Sequence, residues 1–298
     1  MLGGMIMFGA PVLNDGWAIF GGGSTGSVTA YTDKYVYSGN TLTAGTVLGV
    51  ARYALSGTGV STFGLFGGGY TTSPTAYTDK YTYSGDSVAA GTVLGLAKFV
   101  IFTAGNSTTG LFAGGYTTTA VTNTDKYTYS GDSVAAGTAL PSGDIRNSGA
   151  AAGNSNVAIC AGGNNSGVVK ANTDTYTYSG DTTATSTALG VARTDLAGAG
   201  TTTIGYFSGG LTTVPTTYTD KYTYSGATVA SGTALGTARN ELAATGNAVE
   251  AVYGGGNTGS ASAVTDVYTY AGDTIAGGTA LGLARYNLAA TSSVPGGF

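Results

Sequence analysis

The side chains able to act as acids, bases, nucleophiles or ligands are few, and their types narrow the chemistry at once. The chain holds 13 Asp, two Glu (Glu241 and Glu250), six Lys, five Arg, 21 Tyr, a lone Cys160 and no His. Without His there is no Ser-His-Asp triad, no Cys-His dyad, no histidine metal site and no imidazole base. Paired carboxylates leave glycoside hydrolysis formally open. Calcium capture by turn aspartates is conceivable, but no Asp-x-Asp-x-Asp run occurs. No catalytic residue, metal or cofactor is expected. Net charge is −4 with 11 cations, so the electrostatic footprint of a nucleic-acid binder is missing. No apolar run approaches the ~18 residues of a membrane helix. The first 15 residues lack the basic region of a secretory signal. Cys160 has no second cysteine to pair with in the chain.

Spacing assigns most of these residues to architecture. Aspartate follows threonine at Asp33, Asp79, Asp125, Asp174, Asp220 and Asp266, at intervals of 46, 46, 49, 46 and 46 residues. Tyr recurs two residues later, from Tyr35 to Tyr268, and again two beyond that, from Tyr37 to Tyr270. A cation recurs at Arg52, Lys98, Arg146, Arg193, Arg239 and Arg285, and a second series runs Lys34, Lys80, Lys126 and Lys221. Only Lys170 falls outside both. A Gly-Gly pair precedes each Asp, and a Leu follows it at Leu48, Leu94, Leu140, Leu189, Leu235 and Leu281. Six equivalent copies indicate structure, whereas catalysis needs an asymmetric constellation. The Asp and Arg series are therefore expected to form a ring of charge-assisted hydrogen bonds between repeats. The Gly pairs are expected to mark bulges with positive φ or crowding at an axis. The Tyr series should pack between repeats with their hydroxyls at a wet rim. Cys160, in the place that Phe66, Phe112 and Phe207 take elsewhere, reads as a buried inert thiol.

The elements that carry these residues read as short strands. Gly numbers 53, and charged residues are only 9%, against roughly 25% in ordinary soluble domains. Thr and Tyr suit pleated strands, and Gly supplies turns. The unit from Lys98 to Ile145 predicts strand a at 99–104, strand b at 109–113, strand c at 124–129 and strand d at 134–140. A period of two places Asp125, Tyr127 and Tyr129 on one face of strand c. Four antiparallel strands every ~40–50 residues are the sequence pattern of propeller blades. The expected fold is all-β: a six-bladed β-propeller of four-stranded antiparallel blades. Repeats span about 6–51, 52–97, 98–145, 146–192, 193–238 and 239–284, with a closing strand at 285–293, as one domain over 1–298.

The order Arg, apolar strand, Phe-x-Gly-Gly, variable loop, Asp-x-Tyr-x-Tyr and Leu resembles the Kelch repeat over nearly the whole chain. The departure is at the Kelch Trp, which no unit has; Trp17, the sole Trp, lies in strand b of the first unit. Gly/Thr/Tyr-rich repeats of this type resemble those of structural proteins of tailed bacteriophages. That resemblance implies a non-enzymatic tail fibre, head fibre or capsid decoration protein, made in host cytoplasm without a signal and working on the virion. Its partners would be other virion or surface proteins and cell-surface glycans. The alternative is a bacterial carbohydrate-binding lectin or adhesin propeller at the cell surface. The copper chemistry that propellers host needs His ligands, and sialidase chemistry needs a convergent Arg cluster. Neither is available here.

Two further expectations concern the ends and the loops. Ile6 stands where other units have a cation, and Arg285 begins a seventh strand a that the first unit lacks. The C-terminal segment should therefore pair with 17–20, displacing residues 1–13 and freeing Met5, Ile6, Met7 and Phe8 to dock on a partner. The alternative is that the N-terminus fills the slot and residues 286–298 lie loose. The b–c loops differ in every unit, while the c–d turns are nearly uniform, Ser-Gly-Asp in units two, three and four. Variation on a fixed scaffold is how loops acquire recognition. Partner binding is expected on the b–c face at Pro141, Asp144, Asn164, Asn165 and Lys170, with Tyr70 and Tyr116 as aromatic contacts.

Overall fold

A computed structural model describes residues 16–141 and 145–295. Six four-stranded antiparallel sheets form a six-bladed β-propeller, and the only helix among the described residues is one 3-10 turn, Tyr37–Gly39. Blade three runs from strand a, Phe102–Gly105, through Thr109–Ala113 and Thr124–Thr128 to strand d, Ser133–Gly137. Its order from axis to rim is a-b-c-d. Leu111 and Phe112, adjacent in strand b, are both fully buried, because a blade is covered on both faces by its neighbours.

Strand a begins three residues later than the 99–104 expected. The chain bends first at Val100, where φ is +49°, and extends only after reaching the axis. Strand d likewise stops at Gly137. Leu140 then turns inward, its amide donating to Thr122 O at 3.0 Å, and it is buried like the other five leucines of its series.

The inner strands are Ser56–Val60, Phe102–Gly105, Ala150–Gly153, Ala197–Gly200, Ala243–Gly246 and Ala289–Ser292. Each packs against its two neighbours around the axis. Small residues permit this crowding: a Cβ added at Gly57 would lie 2.2 Å from Ala290 O.

Blade one is a hybrid. Its inner strand comes from the C-terminus, with Ala18 opposite Ser292 and Gly21 opposite Ala289. Ser293 Oγ accepts from the Trp17 amide at 2.8 Å, and Tyr37 OH donates to Ser292 Oγ at 3.1 Å. The C-terminal segment, not the N-terminus, thus occupies the slot beside Trp17–Gly21. The docking expected of Met5, Ile6, Met7 and Phe8 lies outside the described residues.

Candidate recognition site at the axial mouth

The cation and Asp series pair within blades, which corrects the expected ring of pairs between blades. In blade two, Arg52 Nη1 lies 2.5 Å from Asp79 Oδ2, while its Nε and Nη2 donate to the carbonyls of Gly68 and Phe66. Arg52 precedes strand a and folds back over its own strands b and c, where those carbonyls need donors. The same pairing recurs as Lys98–Asp125 (3.3 Å), Arg146–Asp174 (2.8 Å), Arg193–Asp220 (2.8 Å) and Arg239–Asp266 (2.5 Å). In blade one Arg285 reaches Asp33 at 2.5 Å, so the clamp itself joins the two ends of the chain. Burial pulls the Lys98, Arg193, Arg239 and Arg285 cations below their usual ranges, opposed by the aspartate beside each. The second Asp oxygen takes the linker from the preceding blade: Gly49 N donates to Asp79 Oδ1 at 3.2 Å, and Gly95 N to Asp125 Oδ1 at 3.2 Å.

The c–d turns and the second Lys series make the charged links between blades. Asp132 Oδ1 accepts from Thr92 N of blade two at 3.1 Å, and Lys80 of blade two lies 3.3 Å from Asp132 Oδ2. Thr138 N with Lys126 on Asp181, and Thr233 N with Lys221 on Asp273, repeat this arrangement. Asp86 takes Thr46 N, and Lys34 acts on it electrostatically. Burial works to raise these carboxyls, but amide, tyrosine and lysine partners hold all four below the usual range, Asp273 at about 2.

The Tyr series divides by depth. In every blade but the fifth, the first Tyr donates to the turn residue five positions on, as Tyr35 does to Asn40 Oδ1 at 2.6 Å. The second lies deeper than the wet rim expected: Tyr37, Tyr83 and Tyr129 are buried, and every second Tyr except Tyr178 places its hydroxyl on an inner strand. Tyr83 meets Thr291 Oγ1 at 2.8 Å, and Tyr129 meets Thr58 Oγ1 at 3.0 Å. A strand-c side chain one pleat further along points into the gap between inner strands, so its tip cannot reach water. Cys160 is fully buried, and burial pushes its thiol up to about 12.

One repeat position differs chemically in every unit: the second residue after each cation, namely Ala54, Val100, Ser148, Asp195, Glu241 and Asn287. All six have φ between +49° and +58°. Their amides form a closed ring about the axis. Ala54 N donates to Asn287 O (2.7 Å), Val100 to Ala54 (2.9 Å), Ser148 to Val100 (3.3 Å), Asp195 to Ser148 (2.5 Å), Glu241 to Asp195 (2.8 Å) and Asn287 to Glu241 (2.8 Å). Positive φ at a β-branched residue such as Val100 is costly, of order 1–3 kcal/mol. The ring is what holds it there.

Inside the ring lies a cavity of about 140 Å³, lined by these six residues and the first residues of the inner strands. Its rim is lopsided. Just outside the lining, on blades two and three, the rings of Tyr53, Tyr70, Phe99 and Tyr116 follow one another at centroid spacings of 5.5, 5.1 and 5.5 Å. Within the lining stand Ser148, Asp195, Glu241 and Asn287. Asn287 Nδ2 and Asn257 Nδ2 donate to the two Glu241 oxygens at 3.0 and 3.2 Å. Burial, and then the neighbouring Glu241 carboxylate, push the Asp195 carboxyl up to about 7, against hydrogen bonds from Ser148 and Thr194.

The sequence-derived candidates distribute around this mouth. Tyr70 and Tyr116 stand in the aromatic arc, bridged by Phe99. Asn164 pairs with Asn147 through the backbone, and its Oδ1 accepts from Gly167 N at 2.8 Å. Asn164 and Asn165 form a small hairpin with Val168 and Val169, which absorbs the extra residue of blade four, and Lys170 closes it. Pro141 lies in the linker leading to blade four; Asp144 lies outside the described residues. Asp195, Glu241, Ser148 and Asn287 were not singled out from the sequence. The available signal was their repeat position, which carries a different residue in all six units, as the first residue of strand b also does (Trp17, Phe63, Thr109, Val157, Ile204, Glu250). Among the described residues no three His, Cys, Asp or Glu side chains gather as metal ligands, and no helix is long and apolar enough to cross a membrane.

No known protein-family profile matches the chain, and no curated protein matches it significantly.

Proposed function

We propose that the chain is a non-enzymatic recognition module whose working surface is the axial mouth and the b–c loops around it. Its setting on this reading is a virion, as tail fibre, head fibre or capsid decoration protein. The observation that carries the reading is the lopsided mouth on a scaffold otherwise repeated six times. Clamps, Gly pairs and leucines are kept in every blade, while side-chain chemistry diverges around the mouth, aromatic on blades two and three and carboxylate or carboxamide on blades five, six and one. The Kelch-like assignment rests on the order of Arg, Gly-Gly and Tyr in each unit, and the phage assignment on composition.

The test is adhesion of the purified, labelled chain to a panel of intact bacterial cells. Adhesion that is lost in Tyr70→Ala and in a graft of the third b–c loop onto blade four, with unchanged thermal unfolding, supports the reading. Adhesion unaffected by both variants overturns it. The alternative of a cell-surface lectin or adhesin propeller is favoured by the same aromatic arc, and a gene beside secretion genes rather than capsid and tail genes would select it. Release of sugar fragments from bound glycans would overturn the non-enzymatic part.

A further inference from the structure

We infer that the axial cavity is a subsite for one terminal sugar ring that presents hydroxyl or ammonium donors and carries no acid group. This rests on the recognition reading above and names the ligand class of that same surface.

Size is the first argument. A cavity of about 140 Å³ is well below the ~300 Å³ at which pockets for drug-sized ligands begin. It suits a single ring or chain end rather than an extended oligosaccharide. Polarity is the second. Aromatic faces take the apolar C–H side of a sugar ring, while carboxylates accept hydrogen bonds from its adjacent hydroxyls. Both stand at this end of the axis: Asp195 and Glu241 line the cavity, and Tyr53, Tyr70, Phe99 and Tyr116 form an arc outside its lining, on blades two and three. Asn257 and Asn287 hold Glu241 in place, so little ordering cost remains for the ligand to meet.

Charge excludes the acidic sugars. Asp195 and Glu241 are the only charged residues lining the cavity. The clamp cations beside it are committed to buried aspartates and cannot turn toward a bound carboxylate without breaking those pairs. A sialic or uronic acid would therefore meet two carboxylates with no cation in the cavity lining.

The Asp195 carboxyl, raised to about 7, faces Glu241, Ser148 and Thr194, with Tyr53 and Tyr286 across the mouth. Donors on the ligand favour its ionised form, so affinity should rise between pH 6 and pH 8.

The test is a glycan array printed with neutral, amino-sugar and acidic termini, probed at pH 6 and pH 8. Wild type is compared with Glu241→Gln, Asp195→Asn and Phe99→Ala, and with Val249→Thr in an exposed a–b turn at the other end of the axis. Expected is binding to neutral or amino termini, at least ten-fold weaker in Glu241→Gln and Phe99→Ala and unchanged in Val249→Thr. Because Glu241→Gln preserves shape, it decides the matter if Phe99→Ala fails to fold. Loss of binding on adding salt identifies ammonium as the donor, and salt-independent binding identifies hydroxyls. Binding confined to acidic termini, or untouched by Glu241→Gln, overturns the inference. A silent array overturns it too: mouth-dependent cell adhesion would then leave the recognition reading standing, and no adhesion would remove both.

Discussion

The interface between blades three and four and the one between blades four and five use the same strands but are fastened differently at the rim. In the first, Lys126 and Thr138 of blade three hold Asp181 of blade four. In the second, Thr175 stands where the Lys would be and Ala227 where the Asp would be, and the Ser186 and Tyr222 hydroxyls meet instead. Both halves of the staple are missing together. The same holds between blades six and one, where Val267 takes the Lys position and Asn40 the Asp position, although Asn40 Oδ1 still accepts from Thr279 N at 2.7 Å. The inner clamps, by contrast, are present in all six blades. A rim staple is a two-part surface device, worth keeping only whole. An inner clamp is buried, and losing one half strands a charge in the core.

The largest effect expected follows from that contrast. Arg193→Leu leaves Asp220 buried, with the Gly190 amide as its remaining donor, and should cost about 3–5 kcal/mol in chemical denaturation. A loss below ~1 kcal/mol would place clamp and staple in one class. Asp181→Ala removes the Thr138 amide, Lys126 and Tyr176 contacts at once and should cost about 1–2 kcal/mol. Backbone strain should not add to this, because Ala227 already sits at φ +46° in the equivalent turn.

Acid titration separates rim from axis by sign. Asp273 is depressed in the folded state, so its contribution is full above the unfolded pKa of about 4 and is lost as pH falls toward 2. Asp195 is raised, so the folded state binds more protons than the unfolded between about pH 4 and 7, and stability falls as pH rises through that window. Asp195→Asn should therefore melt higher than wild type at pH 8 and equally at pH 4. A melting point that is pH-independent relative to wild type would refute the assignment. The smallest effect is restoration of the missing staple. Thr175→Lys with Ala227→Asp should gain up to ~1 kcal/mol, with a favourable coupling in the double-mutant cycle and little from either change alone. Zero coupling would mean that the paired absence of Lys and Asp is accidental.

The fold was legible because each blade repeats the same buried residues, and period-two alternation in strand c fixes which side chains pack. Partner choice was not. Arg52 and Asp79 are visible in the sequence, but whether Arg reaches its own blade or the next depends on the bend at residues 52–55, which carries no sequence pattern. The axial residues escaped for a related reason. Repetition marks architecture and varying loop length marks recognition, whereas Asp195 and Glu241 vary in chemistry at constant spacing and carry neither mark. The depth of Tyr129 was hidden because alternation gives the face of a strand and not its distance from the axis.

The six amides around the axis run head to tail, each pointing along the tangent toward the previous blade. A circle of equal dipoles sums to nothing, so the backbone lends the mouth no net field, unlike the end of a helix. The electrical character of that opening is set by its side chains alone. A circle also has no terminus at which to fray. Opening any one link requires two blades to part, so these six hydrogens should exchange with solvent as one set, at the rate at which the whole ring comes apart.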